Sequence, residues 1–193
     1  MVWLVDVCST FQNLFSEHEP CADCNVQTLP MQPYLERRNT MNIRPTRHND
    51  LADLQEVLDG TELFPSEMLP DMVSSFLSGD KGSDMWLTCE VDGRAIGFCY
   101  AVPEEFTDGA WNMLALAVLP SLQGEGHGGA LVAQLEEALK DRSQRVLIVD
   151  TSGVDAFAQT REFYRKNGYI EEARIRDFWA AGDDKIVFWK SLA

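Results

Sequence analysis

Residues 123–129 read Gln-Gly-Glu-Gly-His-Gly-Gly and lie between an apolar strand pattern and an amphipathic helix pattern. The glycines Gly124, Gly126, Gly128 and Gly129 leave this turn almost bare of side chains. Bare backbone can turn tightly, and its amides can converge on an anion at the start of the following helix, where the dipole favours negative charge. Strand, glycine turn and helix in that order demand an α/β arrangement and point to a phosphorylated ligand.

The elements around the turn follow from periodicity. Residues 41–44 read as a short strand. Residues 50–58 read as a helix with Leu51, Leu54 and Leu58 on one face and Asn49 or Asp50 as its cap. Residues 66–77 form a second helical stretch, broken or bent at Pro70. Strand patterns at 86–91 and 94–102 flank Asp92-Gly93, a hairpin signal. The run 110–119 is nearly all apolar and therefore a central strand. After the turn, 130–139 is helical, with Leu131, Leu135, Ala138 and Leu139 inward and Glu136, Glu137 and Lys140 outward. A buried strand (145–149), a helix (156–166) stopped by Asn167-Gly168, and a hairpin of 169–178 and 185–192 around Gly182 complete the chain. The order β-α-α-β-β-β-α-β-α-β-β describes one α/β domain over 41–193 with a mixed sheet flanked by helices. Residues 1–40, with Pro20, Pro30 and Pro33 and no sustained periodicity, read as an N-terminal extension expected to be poorly ordered.

Composition excludes several classes. A net charge of −15 makes nucleic acid a poor partner and steers cationic small molecules or basic peptides favourably. No apolar run is long enough to cross a membrane. Asp6 interrupts the apolar start and no basic residue precedes it, which argues against a signal peptide. Cysteines at 8, 21, 24, 89 and 99 are odd in number and scattered, so a reducing cytoplasm is expected rather than a disulfide framework. His18, Cys21 and Cys24, with Cys8, have the flavour of a zinc set, but the spacing is short and no metal is expected.

Three phosphate-binding readings compete for the glycines. A Walker A loop needs lysine and then serine or threonine after the last glycine, whereas Ala130 and Leu131 follow Gly129. Gly124, Gly126 and Gly129 satisfy a dinucleotide G-x-G-x-x-G, and Asp150 ends the next strand. The fingerprint is separated from its strand by residues 120–123, however, and the chain remaining after Gly129 ends in an antiparallel hairpin. This leaves a nicotinamide oxidoreductase as a remote alternative. The third reading rests on two segments. Residues 116–129, Leu-Ala-Val-Leu-Pro-Ser-Leu-Gln-Gly-Glu-Gly-His-Gly-Gly, resemble the acyl-CoA signature of the GNAT superfamily of N-acetyltransferases, with Gln123, Gly126 and Gly128 on its core pattern. Phe163-Tyr164-Arg165-Lys166-Asn167-Gly168-Tyr169 resembles the second signature of that family, an aromatic pair on a helix ending at Gly-aromatic.

The resemblance implies a mostly antiparallel sheet whose central parallel strands, 110–119 and 145–149, splay apart to admit acetyl-CoA. It implies that the pantetheine arm pairs with backbone at Leu116, Ala117 and Val118. The pyrophosphate would meet Gln123, Gly124, Gly126, His127, Gly128 and Gly129, with the His127 ring set aside as a base. Arg165, in a basic patch with Arg161 and Lys166, would meet CoA phosphates. Tyr164 would protonate the departing thiolate, a role suited to a phenol that stays protonated at neutral pH. A strand amide would hold the oxyanion. The base is open. Some members carry glutamate where this chain has Asn112, which leaves Glu104, Glu105 and Asp108 in the preceding loop as candidates. Phe157 stands where many members have a cofactor-binding asparagine, and Thr151 or Ser152 could replace that contact. The acceptor would be an amine, cationic in keeping with the acidic chain. Leu63, Phe64, Pro65, Met68 and Met72 could wall its pocket, with Phe178, Trp179, Asp183 and Asp184 adding an aromatic surface and negative charge. A non-catalytic acyl-CoA sensor is the main alternative, favoured by Asn112. A homodimer stays open.

Overall fold

The computed structural model describes residues 40–79 and 84–193. The expected elements are realised as seven strands and four α-helices: β1 (Met41–Pro45), α1 (Leu51–Thr61), α2 (Leu69–Leu77), β2 (Met85–Val91), β3 (Arg94–Pro103), β4 (Ala110–Val118), α3 (His127–Asp141), β5 (Val146–Ser152), α4 (Ala158–Lys166), β6 (Ile170–Ala180) and β7 (Asp183–Ser191). One sheet holds all strands in the order β1-β2-β3-β4-β5-β7-β6. Every neighbouring pair is antiparallel except β4 and β5, which run parallel at the centre.

The alternation along the strands divides two cores. Leu87, Cys89, Cys99, Met113, Leu116, Leu147, Val149 and Phe188 pack with Leu131, Leu135 and Leu139 of α3 and Tyr164 of α4. Trp86, Phe98, Ala115 and Ala117 face the other way, against Leu54, Val57 and Leu58 of α1 and Leu69 and Val73 of α2. Each buried leucine contributes about 1.5–3 kcal/mol relative to exposure, so both helix pairs are held chiefly by these apolar faces. Gly97 leaves no room for a side chain between β3 and β4: a Cβ there would lie 2.6 Å from the Ala117 carbonyl oxygen.

Several local expectations are corrected. Asp50 does not cap α1 with its side chain. Its carboxylate instead accepts the Arg47 amide and both terminal nitrogens of Arg44. Burial opposes this charge, but the Arg44 and Arg47 hydrogen bonds outweigh it and hold the Asp50 carboxyl below the usual range. Pro70 does not break its helix. A 3-10 turn (Ser66–Met68) precedes it, and the proline lies in the first turn of α2, where its missing N–H costs nothing. The helix after the glycine turn starts at His127 rather than at residue 130, so Gly128 and Gly129 are already helical. Glu136 is not outward: it is 8% exposed, and Lys190 of β7 bonds both its oxygens at 2.8 and 2.7 Å. Among the described residues no helix is long and apolar enough to cross a membrane.

Candidate active site

The parallel pairing at the centre is brief. Ala110 faces Val146, Trp111 faces Leu147 and Asn112 faces Ile148, and there the ladder ends. Beyond it β4 runs on to Val118 paired with β3 alone, and β5 runs on to Ser152 paired with β7 alone. The facing edges therefore open into a V with its closed end at Asn112. Leu114 is an extra residue at this point, between the pairs Met113–Ala101 and Ala115–Tyr100. Such a bulge bends the strand and leaves one residue outside the ladder. The expected backbone positions Leu116, Ala117 and Val118 lie on the open arm of β4, with their side chains buried on alternate faces.

Above the open end sits the glycine turn. A 3-10 turn (Pro120–Leu122) lifts the chain off β4, and Gln123 ties it back by donating its side-chain amide to the Val118 carbonyl at 3.0 Å. Gly124 and Gly126 have φ of +81° and +91°, which L side chains rarely adopt. Among the described residues no amide from Gly124 through Gly129 donates to a protein acceptor, and no side chain caps α3. A Cβ at Gly124 or Gly126 would meet nothing within 4 Å, so the turn is open at these two positions. Free amides, open space and a fifteen-residue helix dipole together fit an anionic group. The His127 ring turns aside: Nδ1 lies 3.4 Å from the Met41 sulfur and Nε2 3.4 Å from Glu125.

Tyr164 is 1% exposed and packs against Phe163, Tyr169 and Phe188, with ring centroids 5.3, 5.7 and 5.4 Å away. Burial raises its ionisation well above the ordinary phenol range, so the neutral phenol is the only form near neutral pH. Its backbone is fixed where α4 ends, since its carbonyl accepts the Tyr169 amide at 3.0 Å. Lys190 also donates to the Asn167 carbonyl at 2.7 Å, clamping the same turn to Glu136 of α3.

The three loop carboxylates separate cleanly. Glu104 is half-buried and accepts the Asn112 side-chain amide at 2.8 Å, at the closed end of the V. Its own amide donates to the Ala110 carbonyl at 2.9 Å, which closes the base of the loop. Glu105 and Asp108 are exposed, and the Asp108 carbonyl is held by Arg145. Asn112 is 7% exposed, and its Oδ1 is buried without a partner.

Other candidates are engaged elsewhere. Arg165 bonds Glu171 at 2.7 Å and lies over the Phe188 ring. Arg161 bonds the Ser152 and Val154 carbonyls, both at 2.8 Å, and so pins α4 to the end of β5. Asp183 accepts the Ser152 hydroxyl at 2.5 Å, and Asp184 accepts Arg174 at 2.9 Å, so both charges expected to face an acceptor are already satisfied. Thr151 Oγ1 is buried without a partner, unlike Ser152. Met68 and Phe178 are exposed, and Phe178 packs edge-on to Trp179. Sequence reasoning missed the Lys185–Asp150 ion pair, because β5 and β7 become neighbours only in the sheet. Cys8, His18, Cys21 and Cys24, with the expected extension, lie outside the described residues. Among the described residues no cluster has the makings of a metal site.

Comparison with known proteins agrees with this geometry. The acetyltransferase (GNAT) domain family matches residues 82–171, a span that takes in the glycine turn and Tyr164. A solved protein from Desulfovibrio desulfuricans assigned to the GNAT acetyltransferases is 28% identical, with a TM-score of 0.73 over 80% of this chain and 100% of its own. An aminoglycoside 6'-N-acetyltransferase solved with coenzyme A is 18% identical, with a TM-score of 0.65 over 79% of this chain and 97% of its own. The ribosomal-protein-S18-alanine N-acetyltransferase of Escherichia coli is 17% identical, with a TM-score of 0.65 over 80% of this chain and 95% of its own. No curated protein matches the sequence significantly.

Proposed function

We propose that this chain, which matches the GNAT acetyltransferase domain family over residues 82–171 and shares its fold, transfers acetyl from acetyl-CoA to a primary amine by direct attack in a ternary complex. One observation carries the reading: the open edge of β4 leads from Asn112 straight to the unbonded amides of Gly124 to Gly129. A long thioester with a pyrophosphate at one end matches an extended edge that ends in an anion cradle. Acetyl-CoA supplies the activated acyl group. The residues of this chain supply the rest.

Glu104 is the proton acceptor in this proposal. The Asn112 amide orients it at the closed end of the V, where the acyl carbon would lie, and it takes the proton that an ammonium must lose before attack. Glu105 and Asp108 are not needed. Tyr164 faces the other core, and its neutral phenol donates a hydrogen bond to the departing sulfur. Full transfer would leave a phenolate in an apolar site, so donation rather than complete ionisation is its role. His127, Gly128 and Gly129 hold phosphate through their backbone amides, so the cradle does not depend on a basic side chain.

The test is paired. Acetyl-CoA should raise the melting temperature at saturation, as any ligand of the native state does. Free CoA should then appear only when a primary amine is added. An acyl-CoA sensor would give the first result without the second across a broad amine panel. Binding of NAD in place of CoA would revive the oxidoreductase reading.

A further inference from the structure

Two buried oxygens on one face of the V lack a hydrogen-bond partner: Asn112 Oδ1 on β4 and Asp150 Oδ1 on β5. Both residues are more than nine-tenths buried, at 7% and 5% exposure. Trp111 and Met113 on either side of Asn112 belong to the α3 and α4 core, as does Val149 beside Asp150. Asn112 and Asp150 therefore both face the α1 and α2 side. The register pairs Asn112 with Ile148, so Asp150 stands just beyond the last pair, where the strands have begun to part.

An acceptor left unpaired in a protein interior is costly, and two on opposite lips of one opening are a request for donors. Each has its other polar atom committed. The Asn112 amide donates to Glu104, and the second Asp150 oxygen pairs with Lys185, whose ammonium also lies 4.8 Å from the centre of the Phe178 ring. Glu104 and Lys185 are long, flexible side chains, so the opening can widen without moving a strand. What is missing is a group with several N–H donors for the two orphaned oxygens and a positive charge to balance Glu104.

Resting on the acetyl-transfer reading, we infer that Asn112 Oδ1 and Asp150 Oδ1 receive the ammonium of the acceptor, a primary alkylammonium, before Glu104 takes its proton. The acceptor is then selected as a cation, and its charge is recognised inside the V rather than on the acidic surface. Three donors of an ammonium suit this set: one to Asn112, one to Asp150 and one to Glu104. A quaternary ammonium carries the charge but no N–H and is refused.

The experiment uses the full chain saturated with CoA, which permits no turnover, and reads melting temperature against n-butylammonium and tetramethylammonium at matched ionic strength. n-Butylammonium should stabilise the complex saturably, and tetramethylammonium should not. Asp150→Asn keeps an oxygen but not the charge and should weaken n-butylammonium roughly 10-fold, in line with a charge-assisted hydrogen bond reduced to a neutral one, while CoA itself stabilises as before. Lys185→Met, which frees the Asp150 charge, should tighten n-butylammonium. The double variant Asp150→Asn/Lys185→Met has no unpaired charge and carries the test should Asp150→Asn fail to fold. Equal response to the two cations, or an n-butylammonium response undiminished in the Asp150 variants, overturns the inference. Loss of the CoA response in the wild-type protein would instead overturn the acetyl-CoA reading beneath it.

Discussion

The proposed donor side of the cleft is built of backbone: a strand edge beyond Asn112 and the amides of Gly124 to Gly129. The proposed acceptor side is built of side chains, drawn from the β3–β4 loop, β4, β5 and β7. The two sides differ in what substitution can do to them. A backbone cradle is blind to most side-chain changes and is broken only where the chain needs glycine or an open edge. A side-chain cluster can be retuned one residue at a time without moving the sheet. Similar folds solved for an aminoglycoside acetyltransferase and for a ribosomal-protein acetyltransferase fit that division, since these two proteins share the architecture and differ in acceptor.

Glu104→Gln should separate the two sides most sharply. Glutamine keeps an oxygen for the Asn112 amide, so the loop and the fold should hold. It cannot take a proton, and kcat should fall about 10²- to 10⁴-fold. The dissociation constant of acetyl-CoA, measured by calorimetry, should stay within about twofold. A parallel loss in cofactor affinity would mean that Glu104 shapes the donor side as well.

Gly126→Val is the converse. Valine at a φ of +91° costs of order 1–3 kcal/mol of local strain, and the turn would relax by re-aiming its amides. Acetyl-CoA affinity should drop about 100-fold, the scale of two or more lost charge-assisted hydrogen bonds. Circular dichroism of the sheet should be unchanged, because a Cβ at this position meets no atom within 4 Å. Affinity close to that of the wild type would show that the cradle tolerates a shifted backbone.

This asymmetry also governs what could be read without coordinates. The donor side is local in sequence: strand, turn and helix are consecutive, and four glycines in a short span announce them. The element order and the mixed sheet were legible for the same reason, because alternation and helical spacing are local patterns. The acceptor side is non-local. Glu104 could not be told from Glu105 and Asp108, since only the return of β4 brings the Asn112 amide to one of them. Glu136 looked outward on its helical wheel because its partner, Lys190, lies on a strand far along the chain. Asp183 and Asp184 looked like free charge for an acceptor, but the hairpin and the end of β5 absorb both. Pairings across a sheet leave no trace in local periodicity.

Tyr164→Phe probes the joint between the sides. The phenol lies in the α3 and α4 core, opposite Glu104 and Asn112, and should serve only the leaving sulfur. A lost hydrogen bond to a developing anion corresponds to about 10- to 100-fold in kcat, with acetyl-CoA binding nearly intact. Burial raises the Tyr164 pKa, so the wild-type protein keeps the acid form as pH rises, and its pH–rate profile should show no alkaline fall from this group below pH 10. An alkaline limb near pH 9 that vanishes in Tyr164→Phe would contradict a phenol so deeply buried.

The smallest effect, and the finest test of the boundary, lies in two neighbours on β5. Thr151 is 1% exposed and its hydroxyl has no partner. Ser152 donates to Asp183, and its oxygen accepts the Val154 amide at 3.2 Å. Adjacent strand residues point to opposite faces, so Thr151 is turned toward the Tyr164 core and Ser152 away from it. Valine matches threonine in shape and removes a hydroxyl that the free protein leaves unsatisfied. Thr151→Val should therefore leave the ligand-free melting temperature unchanged or raise it slightly, by up to about 1 kcal/mol of stability. Acetyl-CoA affinity should weaken about 3- to 10-fold, because a neutral hydrogen bond is worth about 1 kcal/mol. Ser152→Ala should do the reverse, losing about 1 kcal/mol of stability through its two bonds while leaving acetyl-CoA affinity alone. Opposite signs at consecutive positions are hard to produce by general disruption. They would locate the donor's path along the Thr151 face of β5. If Thr151→Val destabilised the free protein without touching affinity, the orphaned hydroxyl would belong to packing, and the donor side would be built from β4 and the glycine turn alone.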